Sequence, residues 1–161
     1  MRATVDLIDR ESLIPMINPR FRLSPWDADQ AAVLEAWGND RREVLQAGLD
    51  AALALMQGEG AAPPGDPGPV APLRGEGDTL ATLLGDLLDD LFAQMAVHGP
   101  IREAALDGVL KRDPDGFVAW GYLSPQTGAT PTVMFERAGE VEAVTETQGE
   151  IRLRVALRRL G

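Results

Sequence analysis

The hydrophobic and polar positions change rhythm several times along the chain, and each change marks an element. After Asp78, the residues Leu80, Leu83, Leu84, Leu87, Leu88, Leu91, Phe92 and Met95 recur every three or four positions, which places them on one face of a helix. Asp78 is the expected N-cap, and His98-Gly99-Pro100 is a Gly-then-Pro stop. A second helix is predicted over 40–57. Asp40 can cap it, and Leu45, Leu49, Ala52 and Met56 follow at steps of four, three and four.

Elsewhere the rhythm is that of strands. Ala31–Trp37 is a strand-length apolar piece that stops at Gly38-Asn39. Ala105–Lys111 and Phe117–Leu123 flank the turn Asp113-Pro-Asp-Gly116 and predict a hairpin. Val133, Met134 and Phe135 form a short apolar island suited to covering a sheet edge. In the last stretch Ile151, Leu153, Val155 and Leu157 alternate with Arg152, Arg154, Ala156 and Arg158, so one face is core and the other basic. An odd-length loop around Gly149 would let Val141, Ala143 and Thr145 share the apolar face while Glu142 and Glu146 fall among the arginines. An even-length loop would turn those glutamates inward, so the odd one is expected.

Two stretches lack a period. Residues 1–25 hold short apolar fragments broken by Pro15, Pro19 and Pro25 and read as an extension. Residues 57–77 are dominated by Gly and Pro and read as a surface loop. The whole predicts a two-layer α+β domain over 26–161, with helices near 40–57 and 78–98 on one face of a mostly antiparallel sheet.

Composition narrows the function. The 161 residues are 45% hydrophobic and 25% charged, ordinary for one globular domain. A net charge of −10 opposes sequence-independent binding to nucleic acid, whose affinity comes from Lys and Arg on phosphates, so any role near RNA is expected to run through a protein partner. With no Cys there is no thiol nucleophile, one His cannot make a His-Glu-x-x-His site, and that His sits at a predicted helix end where a capping role is expected, so the chain is expected not to be an enzyme. The N-terminus lacks the apolar core of a signal peptide, and no run is long enough to span a bilayer. A cytoplasmic location is therefore expected, with no membrane partner.

Candidate chemistry is sparse. His98 sits at a helix end, where a cation complements the dipole. Asp27 and Asp29 are weak candidates for a hard divalent cation, and Asp40 would have to join them for a carboxylate–Mg²⁺ hydrolase. Asp86, Asp89 and Asp90 read as a solvated helix face. The stripe of Arg152, Arg154, Arg158 and Arg159 reads as the wet face of a sheet, satisfied by Glu142 and Glu146.

Several strings, taken in order, resemble the archease family over residues 21–160. Leu34-Glu-Ala-Trp-Gly-Asn-Asp-Arg-Arg-Glu-Val-Leu-Gln-Ala47 looks like that family's strand-turn-helix, with Glu43 at one of its glutamates. Leu83–Phe92 is similar to its second helix and Val141-Glu-Ala-Val-Thr145 to its Val-Lys-Ala-Val-Thr strand. The resemblance implies a non-enzymatic, chaperone-like activator of a GTP-dependent RNA ligase in tRNA splicing, with Ca²⁺ or Mg²⁺ as a possible cofactor. The chain departs from the family at its metal site. Ala31 stands at the family's metal-ligand Asp, Arg158 at its late acidic residue and Glu142 at its lysine, so a Glu142–Arg158 salt bridge is expected to replace the original pair. The resemblance thus leaves two readings: the ligase activator, or a metal-free module binding another protein through Trp37, Glu43, Glu142 and Arg158.

Overall fold

In the computed structural model the described residues are 20–25, 31–57, 66–67, 70–112, 114, 116–127, 134–147 and 149–160. They form nine strands and two helices: β1 (Phe21–Pro25), β2 (Ala31–Gly38), α1 (Arg41–Gln57), β3 (Asp66–Pro67), β4 (Ala71–Gly77), α2 (Leu80–His98), β5 (Ile101–Lys111), β6 (Phe117–Thr127), β7 (Phe135–Arg137), β8 (Glu142–Thr147) and β9 (Glu150–Arg159). The α+β class with two helices and antiparallel pairing is as predicted. The strands, however, divide into two sheets, and the helices pack against both.

The first sheet runs β1-β2-β9, with β7 and β8 both pairing β9. Their registers place β7 beside the end of β9 and β8 beside its start, so together they form one interrupted edge. The second sheet centres on β6, flanked by β5 in a hairpin and by β4, with β3 pairing the end of β6. Alternation sends Leu34, Ala36, Leu153, Val155 and Leu157 inward from the first sheet, and Leu73, Ala119 and Leu123 inward from the second, all buried. The leucines of α2 and the apolar positions of α1 complete one core. The helices meet at Gly48, where a Cβ would lie 2.8 Å from Leu84.

Four sequence expectations are corrected. The segment 57–77 is not loop throughout: Ala71, Leu73 and Gly75 are buried while Pro72, Arg74 and Glu76 are exposed, a strand period concealed by its Gly and Pro content. Pro72 is tolerated because the N–H groups of Arg74 and Glu76, and hence the Pro72 nitrogen two residues earlier, point away from β6, so no ladder bond is lost. Phe21–Pro25, read as the end of an extension, is the edge strand β1. Thr79, not Asp78, caps α2: its hydroxyl accepts the Thr82 N–H at 3.1 Å, and the Thr82 hydroxyl accepts the Thr79 N–H at 2.9 Å. Finally, Thr147 lies opposite Glu150, so the loop at Gly149 (φ 90°) holds two residues and is even. A bulge between Ala143 and Thr145 supplies the extra residue. It keeps Glu142 opposite Arg154 and Ala143 opposite Leu153 but puts Glu146 opposite Ile151, with Val144 left exposed.

The two strand-to-helix turns repeat one design. In β2–α1, Asp40 follows Gly38-Asn39, and its carboxylate accepts the Glu43 N–H at 2.9 Å. In β4–α2, Thr79 follows Gly77-Asp78 and holds Thr82 in the same way. At Gly38 a Cβ would come within 2.6 Å of the Val44 nitrogen, and at Gly77 it would collide with the Leu83 nitrogen. Only Gly lets either helix start this close to its strand.

Candidate functional site

The outer face of the first sheet gathers most of the side chains that the sequence singled out. Cross-strand partners share a face, so Trp37 and Arg152, Glu35 and Arg154, and Ala31 and Arg158 stand side by side across β2 and β9. Glu142 joins them from β8, opposite Arg154, and Glu136 from β7, opposite Arg158. The Arg152 guanidinium stacks on Trp37, 4.5 Å from the ring centroid. Glu43 is elsewhere, in the first turn of α1, where its carboxylate accepts the Asn39 N–H at 2.9 Å and pairs with Arg20 at 3.3 Å. It closes the turn before the helix.

The pairing on this face differs from the expected swap. Arg154 donates to Glu142 at 3.3 Å and Arg158 to Glu136 at 3.1 Å, so there is no Glu142–Arg158 bridge. Glu142 faces the middle of β9 while Arg158 lies four residues further along. The register after the bulge sets Glu146 opposite Ile151 rather than opposite an arginine.

Glu35 is the one charged residue buried among those described, at 7% exposure, and the sequence reading did not single it out. It accepts from Arg22 at 2.6 Å and lies 3.5 Å from Arg152. Arg152 also reaches Glu150 at 3.2 Å. A buried carboxylate keeps its charge only when paired, so Glu35 fixes Arg22 and Arg152, and Arg152 in turn fixes Trp37. The cue available was alternation: Glu35 shares the parity of Val33 and Trp37.

The three aspartates of α2 are structural. Asp90 accepts the Arg74 N–H at 3.0 Å and Asp86 the Glu76 N–H at 2.8 Å, covering the free edge of β4. Asp89 takes Arg137 in a two-pronged bond, 2.8 Å on each oxygen, and this bond raises the Arg137 pKa against the lowering effect of burial. On the other helix Gln46 and Arg42 cover β5 in the same manner. His98 is the exposed last residue of α2.

Asp27 and Asp29 lie outside the described residues. Asp40 caps α1 and is separated from Ala31 by the length of β2. Among the described residues no three His, Cys, Asp or Glu side chains group as a metal would require. At the position pair where the family resemblance implies a metal carboxylate, the register sets an alanine, Ala31, opposite an arginine, Arg158. Neither is a ligand for a hard cation, so these residues do not fit the implied metal. No described helix is long and apolar enough to cross a membrane.

No family model matches the chain, and no curated protein is similar to it above chance. Its fold is similar to the solution structure of protein 1598 from Methanobacterium thermoautotrophicum. The TM-score is 0.60 and the identity 22%, over 88% of this chain and 99% of that one. At this identity the likeness establishes the fold.

Proposed function

We propose that this chain is a non-enzymatic accessory protein of archease type that acts by binding a protein partner on the outer face of its first sheet, without a divalent metal. The partner, by the archease resemblance, is a GTP-dependent RNA ligase. The observation that carries the metal-free part is the Ala31–Arg158 pair: cross-strand neighbours on β2 and β9 occupy the two positions where the resemblance implies acidic ligands. One of them has no donor atom, and the other carries a positive charge that Glu136 already engages. What supports a docking face is its order. Trp37, Arg152, Arg154 and Glu142 are held by one another and by buried Glu35, so little side-chain freedom is left to lose on association. Trp and Arg on such a face are the side chains that most often dominate binding energy.

Two measurements test this reading. Multiple-turnover RNA ligation by the cognate ligase, at fixed GTP and divalent metal, should accelerate when this protein is added. The acceleration should fall with Trp37→Ala and with Arg154→Glu. Calorimetry of this protein alone with Ca²⁺ and Mg²⁺ should show no saturable site. No acceleration at saturating protein would remove the ligase as partner, and a tight metal site would remove the metal-free mechanism.

A further inference from the structure

A cavity of about 700 Å³ lies where the two strand-to-helix turns converge on the start of β9. This is the opposite end of the β2–β9 pair from Ala31 and Arg158. Ile151, in its wall, pairs with Gly38, and seven residues separate it from Arg158, roughly 23 Å along a strand. The volume is that of a small-molecule site. Its floor is apolar, with Leu80, Phe117, Ile151 and Leu153 contributed by α2 and by both sheets.

The charged groups at the cavity are unequal. Arg41 and Lys111 are cationic, and neither forms an ion pair with another described residue. Arg41 instead lies over the Phe117 ring, 5.4 Å from its centroid. Of the two carboxylates among the described lining residues, Glu150 is engaged by Arg152 at 3.2 Å, which leaves Asp78. Among those residues, two cations against one carboxylate favour a single negative charge in the ligand. Asp78 and the protein's net charge of −10 work against a polyanion such as a nucleoside triphosphate or RNA. From the floor and this imbalance we infer that the cavity binds a small amphipathic monoanion, an apolar or aromatic body carrying one anionic group. The body packs on Phe117, Leu80 and Ile151, and the anionic group meets Arg41 and Lys111. The inference does not depend on the partner or on the ligase reading.

The test uses the full chain, calorimetry, and amide chemical shifts of Lys111, Phe117 and Ile151, with 3-phenylpropionate as the probe. Phenethylamine supplies the body without the anion, and inorganic phosphate the anion without the body. Saturable binding of 3-phenylpropionate that moves those amides, with neither control binding comparably, is the expected result. Lys111 and Ala143 are both exposed, so Lys111→Glu and Ala143→Trp should leave the fold intact, which the amide spectrum verifies. The first should weaken binding by at least about tenfold, the scale of one charge-assisted hydrogen bond, and the second should abolish it by filling the cavity. The inference is overturned if 3-phenylpropionate does not saturate, if phosphate alone binds as well, or if both folded variants bind like the parent.

Discussion

Replacing Gln46 with Ala removes a side chain that acts as a substitute strand. Its amide donates to the Ala104 carbonyl at 2.7 Å and accepts the Leu106 N–H at 2.9 Å, so one glutamine on α1 makes the two bonds that a neighbouring strand would make to β5. Arg42 donates twice to the Leu106 carbonyl, at 2.9 and 3.1 Å, and that acceptor stays satisfied in the variant. The groups orphaned are therefore the Ala104 carbonyl and the Leu106 N–H. Each hydrogen bond contributes about 0.5–1.5 kcal/mol net. Partial burial lets water replace some of it, and the gain in helix propensity from Gln to Ala is only a few tenths of a kcal/mol. The expected loss is about 2 kcal/mol, a Tm decrease of about 4–8 °C for a chain of this size.

Urea denaturation gives the free energy, and hydrogen exchange locates it. The Leu106 amide should exchange faster under native conditions than in the parent, while amides of β9 keep their relative order. Gln46→Glu keeps an acceptor for the Leu106 N–H but sets a carboxylate oxygen against the Ala104 carbonyl and against Asp50, to which the Gln46 amide donates at 3.0 Å, so its loss should be the larger. A change in stability under about 0.5 kcal/mol with unaltered Leu106 exchange would refute the idea that Gln46 completes the sheet.

Two further outcomes follow from the same architecture. Asp86→Ala and Asp90→Ala should each cost about 1 kcal/mol or less, because the bonds are exposed; faster exchange of the Glu76 and Arg74 amides respectively checks this. Desolvation raises the Asp50 pKa, the Gln46 bond opposes the rise and the Glu103 charge adds to it. A raised carboxyl pKa in the folded state means that folding is favoured by protonation and that this contribution is lost as pH rises through the folded value. Asp50→Asn should therefore be slightly more stable than the parent at neutral pH, with the advantage fading as pH falls into the carboxylate range, measured by denaturation across that range. Asp50 is exposed, so screening keeps the difference small.

The helices were readable because their evidence is long-range in sequence: eight apolar positions of α2 agree on one face, and all but Leu80 are buried. β4 was not, because Pro72, Gly75 and Gly77 carry the composition of a loop while occupying sites where an open edge and a close helix require them. The register at Gly149 failed for a different reason. Alternation fixes which residues share a face only while the ladder is unbroken, and a single bulge at Ala143–Thr145 exchanges one loop parity for the other. On the outer face of the first sheet, the arginine stripe was legible together with one of its partners, Glu142, which meets Arg154. Glu35 and Glu136 come from other strands, and only pairing brings them to Arg152 and Arg158, while Glu150 reaches Arg152 from two residues earlier in β9.

Both covered edges in the second sheet are made by helix side chains: Gln46 and Arg42 on β5, Asp86 and Asp90 on β4. An edge satisfied in this way is closed to strand addition. The first sheet is built differently, with β7 and β8 forming an interrupted edge and an outer face of ordered charges around Trp37. A partner that paired strands with this protein would thus meet occupied groups at residues 74, 76, 104 and 106 of the second sheet, whereas one that recognised side chains would find them already fixed on the first. That asymmetry is independent of any metal.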